Sequence, residues 1–391
     1  MSYDLLLKGG HIIDPAEGRD GVGDVAFKDG KVAAIGDKLS DADAAEVRLA
    51  EGFYVVPGLI DLHTHVYWGG TIFGVDPDLL ARASGMTTAV DAGSAGPGNI
   101  RGLVQLQQSQ TAVRILAFVN LSYPGIFSDL RSVRFGEAED LRLLDVPHVV
   151  KALKLYPEHT VGIKIRVGRS TTGPLGAMPL HMAIAASEQA GNAPVMAHIG
   201  ADMPPRLEDI LDPLRKGDIL THCYTPKMNQ PLTTRGALRD CMVAGRERGV
   251  IMDVGHGAGS FGFDVAQTML ELGFTPDVIS SDVHLYSADG PAYDVLVTMS
   301  KFLVLGLPLV DVIRAATAAP AAAMRREDIG TLAVGSAGDA ALLQIKKGPV
   351  SYIDAVGREM RADRRLIPRG IVVGGKWWHD GLIRNELKPK S

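Results

Sequence analysis

The chain has 391 residues, 46% of them apolar and 22% charged, with a formal net charge of −5. That balance excludes a disordered chain, and it disfavours a general binder of nucleic acid or anionic lipid, because nothing supplies the needed excess of cations. Two cysteines, Cys223 and Cys241, are too few for a disulfide framework, which leads to the expectation of a reducing, cytoplasmic setting. The opening Met1-Ser2-Tyr3-Asp4 has no basic n-region, so no signal peptide is expected, and the apolar stretch 295–310 is interrupted by Lys301 and Pro308, which argues against a membrane span.

In chain order, short β-branched runs come first, at 4–8, 11–13, 24–27, 31–35, 45–49 and 53–56. Asp29-Gly30 separates two of them, as a hairpin turn requires. The far end repeats the pattern at 339–345 and 370–377, where Trp377 and Trp378 are candidates for core packing. Neither end alone has much core, so residues 1–56 and 330–391 are expected to form one small composite β-sandwich domain. Between them, near-continuous apolar strands at 59–63, 88–91, 115–121, 162–166, 195–198, 219–222, 250–254 and 278–282 alternate with helical periodicity, for example at 182–190, 230–245 after its first turn, 265–272 and 293–304. Eight such units over 57–329 fit an α/β fold of the (β/α)8 TIM-barrel type, usually about 250 residues long; a doubly wound open sheet is the alternative.

The unusual polar residues cluster at the C-terminal ends of these strands. Strand one runs into Asp61-Leu62-His63-Thr64-His65, with two imidazoles two residues apart and hence on one face. Strand four carries Lys164 and Arg166 at the same spacing, strands five and six end at His198 and His222, and strand eight ends at Asp282. Any one of these could be a satisfied structural residue. Together, at the single mouth where (β/α)8 active sites lie, they make a metal-site composition. A free ammonium cannot ligate, so Lys164 would act either as a carbamate bridging two cations or as an unmodified lysine beside one. Cys223 follows His222 directly and should face the helices. His284 is a candidate for a place next to the ligands. His256 sits in Gly255-His256-Gly257-Ala258-Gly259, where it could touch substrate or shape the loop; no Walker lysine accompanies these glycines.

These residues, with Val56-Pro57-Gly58-Leu59-Ile60 ahead of the histidine pair and Val334-Gly335-Ser336-Ala337-Gly338-Asp339 near the end, resemble the amidohydrolase superfamily over nearly the whole chain. The resemblance implies a hydrolase with two divalent metal ions. His63, His65 and Asp282 would hold one, His198 and His222 the other, and Lys164, carboxylated by CO2, would bridge them; Asp282 would also handle the catalytic proton. Zinc suits that donor set, with manganese, cobalt and iron left open. Within the superfamily the chain is similar to the dihydroorotase-like branch. Dihydroorotases, however, place an arginine two residues after the second histidine, where this chain has Tyr67. The likeness is therefore to deacetylase-type members often labelled dihydroorotase. It implies cleavage of an acetyl ester or N-acetyl amide of a small α-hydroxy or D-amino acid, with cyclic amide ring opening as the alternative. Arg166 could clamp the substrate carboxylate or balance local charge, and Tyr67, Trp68, Tyr123 and Tyr286 could wall in its side chain. The expected partner is a small acylated acid, and a homo-oligomer is compatible with the sequence.

Overall fold

A computed structural model describes residues 2–127 and 137–384. Its parallel sheet has seven strands in sequence order: β6 (Leu59–Thr64), β7 (Met86–Ala92), β8 (Arg114–Asn120), β9 (Thr160–Val167), β10 (Val195–Ile199), β11 (Ile219–Thr221) and β12 (Ile251–Asp253). Each is buried along almost its whole length, which is why the sequence shows apolar runs and not alternation. Side chains such as Ile60, Val90, Leu116, Met196 and Ile219 fill the interior of the curl, where no water competes.

The expected eighth strand at 278–282 is not a regular strand. It closes the barrel through single bridges, Asp253 to Val278 on one side and Thr64 to Val283 on the other. Asp282 N–H donates to the His63 carbonyl (2.7 Å) and His65 N–H to the Val283 carbonyl (2.9 Å). The reason is local: Asp282 adopts φ +46°, which turns the chain out of the extended conformation at the very residue that must face the mouth. The helix expected in 230–245 after its first turn begins only at Asp240. Pro231 and the turn Thr233-Thr234-Arg235-Gly236 spend the preceding residues in loop.

Both chain ends share one mixed sheet. The strands are β1 (Tyr3–Asp14), β2 (Arg19–Lys28), β3 (Lys31–Gly36), β4 (Ala44–Leu49), β5 (Tyr54–Pro57), β13 (Ala340–Ile353), β14 (Glu359–Val373) and β15 (Lys376–His379). Their order is β15-β14-β13-β5-β1-β2-β3, with β4 also beside β1. Asp29 and Gly30 take positive φ (49° and 77°), as the tight β2–β3 turn demands. The sheet curls until its two ends meet: Gly338 N–H donates to the Gly30 carbonyl (2.8 Å) and Gly375 N–H to the Gly338 carbonyl (2.7 Å). Leu5, Phe27, Val32, Val55, Leu342 and Val372 pack inside that curl, with Trp377 against them. β14 packs on the barrel helix Val295–Val304, where Leu366 N–H donates to Ser300 Oγ.

Candidate active site

His63, next to the end of β6 where the register with β7 shifts, projects into the barrel mouth, its ring meeting Thr221, Lys164 and Asp282. Its Nδ1 lies 2.8 Å from Thr221 Oγ1, and that hydroxyl donates its only proton to Asp253 Oδ2 (2.6 Å). Thr221 can therefore only accept from His63, which puts the ring proton on Nδ1 and a lone pair on Nε2. That lone pair faces Asp282 Oδ1 (3.2 Å) and Lys164 Nζ (3.1 Å). His65 Nε2 also lies 3.2 Å from Asp282 Oδ1, while its Nδ1 is held by Ser94 Oγ at 2.8 Å. His222 donates Nδ1–H to the Gly255 carbonyl (2.6 Å), leaving Nε2 directed at His198 Nδ1, 2.7 Å away. Ligand atoms of His63, His222 and Asp282 all fall within 4.8 Å of one another.

The electrostatics keep these rings neutral. Burial drives His63 and His198 well below the ordinary imidazole range, and neighbouring cationic groups push the same way. Burial likewise lowers His65 to about 3 and His222 to about 4. A neutral imidazole with its proton tied up behind it is the ligating form. Lys164 is fully buried, its Nζ lying 3.1 Å from His63 Nε2 and 3.3 Å from Met196 Sδ, and burial lowers it to about 8 against the pull of the Asp282, Asp253 and Glu137 carboxylates. Among the described residues no carboxylate forms an ion pair with this Nζ, so an ammonium there is poorly satisfied as a cation. These donors fit divalent cations. His222 (φ +73°) and Asp282 both occupy the left-handed region, at a cost of order 1–3 kcal/mol each, which the surrounding fold sustains at the site itself.

Above this group opens a cavity of about 240 Å³, with His63, His65, His198 and Asp282 at its base. Arg166, Tyr286, Phe73, Ile126, His284 and residues 258–260 form its walls. Arg166 Nε lies 2.8 Å from Glu137 Oε2, and Asn120 Nδ2 donates to the other oxygen of that carboxylate (2.9 Å).

Two expected substrate contacts lie elsewhere. Tyr67 turns away from the cavity: its hydroxyl donates to the Asn99 carbonyl (3.2 Å) and its ring packs over Gly70 and Gly102. His256 points into the core, where it stacks on Phe261 and its Nε2 meets Lys301 Nζ at 2.7 Å. Both residues follow the last ordered strand position, so strand alternation no longer governs their direction. Trp68 is half exposed on a neighbouring surface, and Tyr123 packs edge-on against His148. Cys223 is buried among helix-facing side chains, as its place after His222 implies. Thr221, Asp253, Ser94 and Glu137, which orient the mouth residues, were not singled out from sequence. Only Asp253, an acid at the end of an apolar strand, carried a usable signal.

A deacetylase from Enterococcus faecalis (strain ATCC 700802 / V583) is 33% identical over 380 residues, 96% of this chain and 99% of that protein. A crystal structure of an adenine deaminase superposes with a TM-score of 0.90 at 32% identity, covering 96% of this chain and all of the other. This chain belongs to the amidohydrolase superfamily. A dihydroorotase crystal structure also matches, at TM-score 0.86 and 30% identity over 96% of this chain and 98% of that one. No family model matches. Membership makes the chain an enzyme, a hydrolase built on the superfamily's barrel, with its mouth residues at the end of the barrel where that fold carries chemistry.

Proposed function

We propose that this amidohydrolase is a metal-dependent deacetylase that cleaves the acetyl ester or N-acetyl amide of a small α-hydroxy or D-amino acid. The observation that carries the proposal is the set of inward-facing, neutral imidazoles around Asp282 and a buried lysine whose Nζ meets His63 Nε2, directly beneath a cavity walled by one arginine. His63, His65 and Asp282 would hold one cation, and His198 and His222 a second. Lys164, carboxylated by CO2, would offer both of them anionic oxygens; zinc is the metal that suits this mixture of nitrogen and oxygen donors. Bound there, the metals would acidify a water and polarise the acyl carbonyl.

The chain's own residues do the rest. Asp282 Oδ1 sits between the two ligating Nε2 atoms of strand one, so it can take the proton of the attacking water and return it to the leaving oxygen or nitrogen. Arg166 faces the same cavity, its Nε 2.8 Å from Glu137 Oε2 in an ion pair, and its guanidinium would receive a substrate carboxylate in a charge-assisted pair. Tyr286, Phe73 and His284 make edge-on ring contacts with one another and line the wall the acid's side chain would meet. A space of about 240 Å³ suits a small acylated acid and not a polymer. No helix among the described residues is long and apolar enough to cross a membrane, and two free, buried cysteines accord with a reducing compartment.

Likeness to a dihydroorotase favours ring opening of a cyclic amide as the second reading. Against it, the position where dihydroorotases carry an arginine is Tyr67, which turns outside the cavity. The deciding experiment compares turnover of O-acetyl-lactate and N-acetyl-alanine of both hands with that of dihydroorotate, hydantoin and adenine. Zinc content and the mass of the Lys164 peptide under native conditions are measured on the same sample. Acetylated acids should be preferred. Arg166→Met should raise KM for them about 10–100-fold, the equivalent of losing ~1.5–3 kcal/mol, and leave a neutral acetyl ester unaffected. Faster ring opening or deamination would overturn the proposal.

A further inference from the structure

Lys301 is a fully buried lysine outside the metal-binding group, in helix Val295–Val304. Its Nζ has three acceptors, each from a different segment: His256 Nε2 (2.7 Å) in the loop after β12, the Pro291 carbonyl (2.8 Å) in the loop after the eighth barrel segment, and the Ile353 carbonyl (2.8 Å) at the end of β13 in the terminal sheet. Three N–H donors meet three acceptors. Filling space alone would call for an apolar residue, which occupies the same volume without the cost of burying a cation. His256, with Nε2 accepting from Lys301 and Nδ1 donating to the Gly257 carbonyl (2.9 Å), is held as a rigid strut within its own loop.

The end of the same loop and the first turn of the helix that follows it, Phe263–Glu271, are clasped by the terminal sheet. At the turn between β13 and β14, Ala355 N–H donates to the Phe261 carbonyl (3.0 Å), Asp354 Oδ2 accepts from Phe263 N–H (3.0 Å), and Arg358 pairs with Asp264. What the loop carries is the reason this matters. The Gly255 carbonyl fixes the tautomer of His222, the Gly257 backbone lies against the Asp282 carboxylate, and residues 258–260 form part of the cavity wall.

We infer that Lys301 and the β13–β14 turn are positioning elements of the active site: through His256 and Asp354 they hold the loop 255–262 in the register that aims His222 and Asp282. The terminal sheet thereby takes part in catalysis without touching substrate. This rests on the cavity being the catalytic centre, and is independent of which acyl compound enters it.

The test uses two full-length variants, Lys301→Met and the milder Asp354→Ala, and two readouts that need no substrate. Hydrogen exchange at 255–262 should quicken about tenfold or more in each, with β6 to β11 exchanging as in wild type. Affinity for Zn²⁺ alone, measured by competition with a chromophoric chelator, should weaken about 10–100-fold, as when outer partners of metal ligands are removed. If Lys301→Met does not fold, Asp354→Ala decides by the same criteria. Unchanged loop exchange, exchange rising equally through the barrel strands, or wild-type zinc affinity in a loosened loop would each overturn the inference. A wild-type chain that binds no zinc would refute the metal-dependent reading, and the exchange data would still judge the positioning role.

Discussion

Gly257→Ala is the sharpest probe of how closely the loop after β12 fits the site. Gly257 has φ +52°, and a Cβ built on it would lie 2.3 Å from Asp282 Oδ2. Real Cβ atoms essentially never approach a neighbour within 3.0 Å, so at least 3.0 − 2.3 = 0.7 Å of movement is required, and 3.4 − 2.3 = 1.1 Å restores ordinary contact. Asp282 has nowhere to retreat without leaving His63 and His65, each 3.2 Å from its Oδ1. Misplacing a reacting group by roughly 1 Å costs on the order of 10²-fold, or about 2.7 kcal/mol of barrier. The left-handed backbone adds about 1–2 kcal/mol of destabilisation for a residue with a Cβ. Steady-state kinetics on the best acetylated acid, alongside zinc content and denaturant midpoints, should show kcat/KM down about 100-fold. Gly259→Ala in the same loop, whose methyl meets nothing within 4 Å, should keep wild-type zinc affinity. A Gly257→Ala enzyme within about threefold of wild type, equally loaded with metal, would refute the claim that Asp282 is held in place by this backbone.

Thr221→Val removes the hydroxyl that relays between His63 Nδ1 and Asp253 while keeping its shape. Zinc affinity should fall about 10–100-fold in a competition titration, and an unchanged value would mean the relay does not set the His63 tautomer. Asp61, buried below the mouth, accepts from Ser281 N–H (2.9 Å) and Oγ–H (2.5 Å), yet burial outweighs those bonds and raises its carboxyl from the usual 3.8 to about 8. The folded chain thus keeps a proton that the unfolded chain has released, so this group withdraws stability as pH rises from about 4 to about 8. Asp61→Asn, neutral throughout, should flatten that decline. Denaturant midpoints at pH 5 and 8 measure it, and an identical slope in both proteins would refute the assignment.

Several of the mouth residues were legible because they lie on apolar parallel strands, where period-two alternation still dictates direction. Lys164, Arg166 and His198 are placed that way, and the structure gathers them with His63 and His222 at one mouth, although His222 follows its strand in a left-handed conformation. Legibility stops where the strand does. Tyr67 and His256 each lie only three residues beyond a strand end, yet their directions depend on long-range partners, Asn99 and Lys301, that no local pattern announces. The eighth segment read as a strand from its apolar run; the left-handed Asp282 that interrupts it is set by the site and not by propensity. Thr221 and Ser94 pass for ordinary short polar residues at a strand end and in a turn, and their roles emerge only when a ring nitrogen is found behind each. Glu137 has no periodicity around it at all, and becomes visible only as the partner of Arg166.

The pairing of β5 with β13 has a further consequence, for synthesis. Val56 sits opposite Ala341 and Pro57 opposite Ala340, so 340 − 57 = 283 residues of barrel must be made before that edge finds its neighbour. At roughly 5–20 residues per second the wait on the ribosome is about 14–57 s, during which the first strands expose an unpaired backbone edge. An unpaired edge of that kind is a template for aggregation, so this interval exposes the nascent chain to that hazard.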